Sequence, residues 1–545
     1  MTRAAPAIRR RPERRASRRR IPRWLGAAGF AVAAGVALPA VYLVVRSWSL
    51  GPDGIAGTVT DARTVGLLVR TTLLAIAVTG TSVAIAVPLA WLTTRTDLPG
   101  RRIWTVLTAL PLVIPSYVGG YVFIAALGPR GLVQGWLEPL GVQRLPSIYG
   151  FGGAWLVLTL FTYPYVLLIV RAAIRGLDPA LEEASYGLGR GRRFTLRRVV
   201  LPQLRPAIVA GSLLVALYTL HDFGAVSLLR FDSFTRAIYV SYQASFDRSR
   251  AAVLGLMLVA LTLIVLVLEA RARGRAAFYR RHPGGRRPAP VMPLGRWRWP
   301  AVAACALVAG FALLLPVAVI VLWLVRAAAE GEPVRVAVTA AWNSLRVAGL
   351  GAVVALIAAW PVAVLGVRFP GRGARALERT TYVGYALPGI VVALALVFFG
   401  ARYVPVLYQT IAMLAFAYAV LFLPQAGGAL RTGLLQIDPH VEEAAQSLGS
   451  SRRRTALRIV MPLVRPGVLA GLALVFLTAM KELPATLLLA PTGFSSLATE
   501  VWGATNAASF GRAALPALLL IVLASGPLAA LLLSGPGERR LRERP

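Results

Sequence analysis

Twelve runs of apolar residues, each roughly 20 positions long, leave this chain few folds to choose from. That is the length at which an α-helix crosses the ~30 Å hydrocarbon layer of a bilayer. Inside lipid the backbone has no water to bond to, so only helices or a closed barrel can span it. Barrel strands would alternate apolar and polar side chains over roughly ten positions, and no such alternation is present. The runs fall at about 24–45, 71–93, 103–127, 150–170, 207–229 and 251–269, then at 300–325, 344–366, 379–400, 407–430, 467–490 and 513–534. They predict an all-α integral membrane protein of about twelve transmembrane helices, six plus six. A mean hydropathy of +0.68 and 57% apolar residues over 545 positions agree, being more than a water-soluble globule needs.

The formal net charge of +37 raises nucleic acid as a partner, but the distribution argues against it. All but one of the 59 basic residues are arginine, the exception being Lys481, which reads as a genomic base-composition bias rather than a binding surface. Arginine instead follows the topology. With the amino terminus inside, segments 1–23, 94–102, 171–205, 270–299, 367–379, 431–465 and 535–545 are cytoplasmic and hold 44 of the 59 basic residues. The expected organisation is a basic arm at 1–23, a first membrane domain at 24–269, a cytoplasmic linker at 270–299, a second membrane domain at 300–534 and a tail at 535–545, with both termini cytoplasmic. A basic start before an apolar core also fits a signal peptide. The length of the first run and the lack of a small-x-small exit favour a retained span. Cys305 stands alone, which excludes an intrachain disulfide. His221, His282 and His440 are too scattered for metal-ligand spacing, so no metal site or cofactor is expected.

The two halves repeat. Asp178–Gly211 aligns without a gap on Asp438–Gly471 at a shift of 260, with 17 of 34 residues identical. Pro164 pairs with Pro424 and Arg171 with Arg431 at the same shift. Ala109–Pro111 pairs with Ala386–Pro388 at 277, which implies 17 extra residues in the first half, assigned to the loop at 128–149. Six spans per half put the copies in the same orientation, a parallel repeat.

Both repeated stretches are arginine-rich islands between apolar runs. Each opens with Asp-Pro, suited to a helix start with Asp178 or Asp438 as cap and Pro179 or Pro439 in the first turn. Glu182 and Glu183, like Glu442 and Glu443, fall early in that helix, where negative charge suits the dipole. Gly189 and Gly449 suit a left-handed helix end. The product is a short helix, a turn and a second basic helix leading through Leu-Pro or Met-Pro into the next span. That shape suits docking into a groove on another protein. The islands resemble the EAA loop of permease subunits of binding-protein-dependent ABC transporters: Glu183-Ala184-Ser185, Gly189 and Leu201-Pro202 in the first, Glu443-Ala444-Ala445, Gly449 and Met461-Pro462 in the second. The resemblance covers nearly the whole chain, as two fused permease domains with EAA loops at 171–205 and 431–465. It implies that Glu182, Glu183, Ala184 and Gly189, with Glu442, Glu443, Ala444 and Gly449, couple the chain to two separate ATPase subunits. An extracytoplasmic binding protein would deliver the cargo. The chain carries no Gly-Lys-Ser/Thr of a P-loop, since Lys481 lies between Met480 and Glu482, so it is not expected to be an enzyme.

Charges inside spans cost on the order of 2.5–3.5 kcal/mol each on insertion scales and are candidates for function. His221-Asp222 and Lys481-Glu482 occupy matching positions, 260 apart, in the spans after the islands. They are expected past the midplane, toward the outside, with one member of each pair facing a translocation path; snorkelling to the outer interface or pairing with each other's helix are the plain alternatives. The stretches HDFGAVSLL from His221 and KELPATLLL from Lys481 look like iron(III)-type permeases, which implies ferric iron as cargo. Permeases for thiamine, phosphonate, sulfate and polyamine have similar loops and remain alternatives. A secondary transporter of the major-facilitator type is a rival, since Asp97–Arg102 reads DLPGRR, but that family does not require two matching islands.

Overall fold

The computed structural model describes residues 21–129, 131–142, 145–243, 247–273, 291–331 and 334–533. The expected arm, most of the linker and the tail lie outside these residues. Among the described residues the chain is helical, with an isolated bridge between Thr96 and Met292 as its one extended pairing. Among the described residues nine helices are long and apolar enough to cross a membrane, a bent pair makes a tenth, and two shorter apolar helices complete the six plus six. The first half holds α1 (Arg23–Trp48), α2 (Ala62–Arg95), α3 (Ser116–Leu127), α4 (Phe151–Arg175), α5 (Arg192–His221) and α6 (Arg248–Arg273). The second holds α7 (Gly295–Ala329), α8 (Val334–Arg368), α9 (Gly389–Tyr403), α10 (Ile411–Leu435), α11 (Arg453–Ala479) and α12 (Phe510–Leu533).

The third and ninth runs are not unbroken spans. A short helix, Arg101–Leu107, and a tight turn, Leu110–Val113, precede α3, and the axis bends by 97° between them. In the second half Arg372–Tyr382 and Val383–Ala386 precede α9 in the same way. Proline is the cause. Pro115 and Pro388 stand just outside α3 and α9 with ψ of 149° and 146°, and a proline also drives the residue before it out of helical geometry. At 12 and 15 residues, α3 and α9 are shorter than the hydrocarbon layer is thick. They survive because protein surrounds them: every residue of α3 from Ser116 to Ala126 is buried.

The spans expected at 207–229 and 467–490 differ as well. α5 starts inside the island, at Arg192, and stops at His221; α11 runs from Arg453 to Ala479. The island's second basic helix and the following span are therefore one continuous helix. Each passes through a widened π turn, Leu196–Val200 or Ala456–Val460, just before Pro202 or Pro462. A proline ring clashes with the carbonyl four residues back and lacks an N–H, and the wider turn absorbs both defects. Beyond the break come two short helices in each half, Gly224–Leu228 and Phe234–Gln243, then Pro484–Leu489 and Leu497–Asn506.

Helix ends also revise the register of the repeat. Arg95 and Arg368 end α2 and α8, the turns Leu110–Val113 and Val383–Ala386 match, and Ser116 and Gly389 begin α3 and α9, all at a shift of 273. The counterpart of Pro388 is thus Pro115, not Pro111, and the excess in the first half is 13 residues. It lies between α3 and α4, where Leu132–Leu137 adds a short helix.

The halves share one core. The first helix of each reaches across the seam: α1 packs on α8 and α9 as well as on α6, and α7 touches the short helix before α3. The buried stripe of α1 is Leu25, Gly29, Ala33, Val36, Pro39, Leu43 and Ser47, one residue per turn. Small residues allow such close approach in lipid. At Gly29 an added Cβ would lie 2.6 Å from a Leu365 methyl of the other half. Within the halves, Gly211 of α5 meets the backbone of α4, and a Cβ there would lie 2.8 Å from Val166 Cα, whereas at Gly471 the nearest atom is a Leu356 methyl at 3.0 Å. Backbone cannot yield as a side chain can. Gly211→Ala should therefore lower the melting temperature of the purified protein more than Gly471→Ala, as read by thermal unfolding in detergent.

Candidate functional site

Each island is a capped helix with two different faces. Asp178 accepts the Ala180 N–H at 3.0 Å and opens Pro179–Gly187; Asp438 accepts the His440 N–H at 2.9 Å and opens Pro439–Ser447. Gly189 and Gly449, at φ of +74° and +85°, turn the chain in the left-handed region that glycine adopts without a Cβ penalty. Glu182 points inward and forms a buried ion pair with Arg95, the last residue of α2. Glu442 pairs in the same way with Arg368, the last residue of α8, at 2.6 Å. Burial pushes the Glu182 carboxyl above its ordinary range, against the opposing pull of Arg95. The Ser185 hydroxyl meets that of Thr195 at 2.8 Å and ties the helix to the start of α5. The opposite face holds Glu183, Ala184 and Leu188 in one copy and Glu443, Ala444 and Leu448 in the other, all exposed. Leu188 and Leu448, at 80% and 89% exposure, stand clear of the protein. The residues grouped together by sequence therefore split: Glu182 and Glu442 hold the helix, while Glu183 and Glu443 face outward beside a free leucine.

The intramembrane charges sit at the breaks after α5 and α11. Asp222 caps the next short helix, accepting the N–H groups of Ala225 at 3.0 Å and Val226 at 3.2 Å, and it accepts the hydroxyl of Ser116 at the start of α3. Glu482 accepts the Ala485 N–H at 3.1 Å and abuts the start of α9, where a Cβ on Gly389 would lie 2.6 Å from its Oε1. Lys481 Nζ donates to the Leu112 carbonyl of the other half at 2.8 Å. The matching His221 Nε2 is buried without a hydrogen-bond partner among the described residues.

A family model described as "Binding-protein-dependent transport system inner membrane component" matches twice, over residues 82–275 and 351–535. The chain belongs to that family. The permease is 33% identical over 520 residues to the Fe(3+)-transport system permease protein FbpB 2 of Haemophilus influenzae, covering 93% of this chain and 97% of that one. It is 27% identical to the ferric transport system permease protein FbpB of Actinobacillus pleuropneumoniae, over 73% of this chain and 60% of the other. The molybdenum transport system permease protein ModB of Escherichia coli is 31% identical but matches 33% of this chain, 80% of its own length. The twofold match shows two fused repeats in a multi-pass inner-membrane permease, and the major-facilitator reading falls away. Asp97 of its DLPGRR turn instead accepts the Leu294 N–H at 2.8 Å.

Arg95, Arg368 and Ser116 escaped the sequence reading. Their signal was faint: an arginine closing the second span of each half, and a hydroxyl just after a proline. The two island pairs differ in exposure, Arg95 and Glu182 having 3% and 4% of their side chains exposed against 11% and 13% for Arg368 and Glu442. Removing one partner of a buried pair leaves an uncompensated charge, at a cost of about 3–5 kcal/mol. Glu182→Ala should accordingly destabilise the permease more than Glu442→Ala in thermal unfolding, and Arg95→Ala combined with Glu182→Ala should recover part of the loss.

Proposed function

We propose that this permease is the membrane subunit of an ATP-driven importer of ferric iron. The observation that carries the cargo is the match along both halves, in order, to an Fe(3+)-transport permease. The placement of the carboxylates supports it. Free helix N-termini attract anions, and such sites would suit molybdate or sulfate. Here the N-termini after the breaks are already filled by Asp222 and Glu482, and the negative charge favours a cation.

In this reading the arginine-rich face is cytoplasmic, and each island receives one ATPase subunit on its Glu183–Leu188 or Glu443–Leu448 face. A loaded external binding protein docks on the opposite side of the two permease domains. Closure of the ATPases on ATP draws the islands together. Their ion pairs to α2 and α8 carry the movement into the bundle, and hydrolysis resets it. Each ligand must bind one conformation better for the cycle to advance.

Reversing both outward charges, Glu183→Lys with Glu443→Lys, should abolish ATP-dependent uptake while leaving membrane insertion intact. Normal uptake by that double variant overturns the coupling role. Proteoliposomes holding the permease with its ATPase and binding protein should accumulate radiolabelled ferric iron. Accumulation of molybdate, sulfate, phosphonate, thiamine or polyamine in place of iron overturns the cargo.

A further inference from the structure

One face of α8 carries a charge where lipid is expected. Trp342, Arg346, Leu350, Val353 and Ile357 recur at helical spacing and are all exposed, a stripe turned toward the acyl chains. Arg346 is the one charge on that stripe. No hydrogen bond or ion pair engages it among the described residues. With Asn343, Val347, Leu350, Ile411 and Phe494 it lines a cavity of about 310 Å³.

The first half builds the same place differently. Ser344 of α8 accepts the Leu497 N–H at 2.9 Å as Thr71 of α2 accepts the Phe234 N–H at 3.2 Å, which aligns the two places residue by residue. Phe494 then matches Phe231, Ile411 matches Phe151 as first residue of its helix, and Arg346 matches Leu73. Phe231 and Phe151 meet edge to face with ring centres 5.9 Å apart, and Leu73 is an ordinary exposed leucine on a membrane helix. Arg70 there has Asp232 at 3.6 Å. In the second half Asn343 and Ser495 take those two places, and the Asn343 amide donates to the Ser495 carbonyl at 2.9 Å. The second half thus lacks the second ring and the acid, and has a cation instead.

Arg346 lies about 22 residues, or ~33 Å along the axis, from Arg368, the end of α8 held by the island. That is about one hydrocarbon thickness. Trp342, one turn further on, is the residue type that anchors helices at headgroup level. We propose that this cavity seats an anionic phospholipid from the leaflet away from the islands, its phosphate on Arg346 and the start of an acyl chain along Val347, Leu350, Ile411 and Phe494. A guanidinium matches phosphate oxygens with paired hydrogen bonds, and without an acid to offset it the site favours a headgroup of net negative charge. An arginine that merely snorkels to the headgroups needs no cavity behind it. The bound lipid props Phe494 and the loop between the two short helices after the second break, Pro484–Leu489 and Leu497–Asn506. The site is independent of the cargo.

Native mass spectrometry of the purified permease, titrated with phosphatidylglycerol or phosphatidylcholine, tests it. The wild type should retain phosphatidylglycerol preferentially and melt at a higher temperature with it. Arg346→Leu, which gives α8 the side chain that α2 has at Leu73, should weaken that retention about fivefold, the weight of one basic residue at an anionic membrane surface. Its melting temperature in lipid-free detergent should stay at the wild-type value, and Arg346→Lys should keep most of the retention. Ile411→Phe, which restores the second ring and narrows the cavity, should weaken retention with the charge intact. Equal retention by the wild type and Arg346→Leu overturns the proposal. So does a thermal shift that inorganic phosphate alone reproduces, which makes the site one for a free anion, or a loss in Arg346→Leu confined to docking of the external binding protein, which makes it a protein contact.

Discussion

A backbone N–H inside a bilayer has no water to turn to, so every helix break at membrane depth must carry its own acceptor. This permease breaks its helices near matching points in both halves, α5 ending at His221 and α11 at Ala479. Each break contains a carboxylate that accepts from the next short helix, Asp222 from the Ala225 and Val226 N–H groups and Glu482 from that of Ala485. In the first half the same carboxylate also holds Ser116, so the two interrupted elements are pinned to each other. Remove the acceptor and the break has no reason to lie where it does. The starts of α3 and α9 pack against these carboxylates.

The legible parts were those governed by neighbours in sequence. Asp178 and Asp438 as caps, the prolines after them and the left-handed Gly189 and Gly449 are local chemistry, and the structure has them where the spacing put them. Hydropathy gave the number of apolar segments but could not show that four of them are broken. An apolar window reads the stretch ahead of Pro115 as though proline were another greasy residue. The partners Arg95 and Arg368 lie far from their glutamates in sequence, and nothing local announces a contact of that range. The register error has the same origin: two Ala-Leu-Pro strings match as letters, whereas the breaks they would mark are set by Pro115 and Pro388.

The halves are copies in plan but not in detail. Lys481 bonds across the seam to Leu112, while the matching His221 has a nitrogen with no partner among the described residues. Ser185 ties its island helix to Thr195, where the second copy has Ala445. The Arg95–Glu182 pair is more deeply buried than Arg368–Glu442. Each difference makes a shared joint stiffer in one half than in the other, a freedom that fusion into one chain permits and identical subunits would not have.

The crossing of α1 onto the second half has a consequence for how the chain is made. Part of its stripe meets α6, but the part that packs on α8 and α9 waits for residues that begin about 290 positions after α1 ends, a delay on the order of 15–60 s at ordinary translation rates. A water-soluble helix left uncovered for so long would aggregate. In lipid the wait is cheap, because acyl chains are as apolar as the side chains that later replace them. The groove must still be found by packing alone, through glycines such as Gly29 that admit a methyl group and little more. Assembly of the two halves thus includes a late docking step, in which α1 completes its packing on a half made long after it.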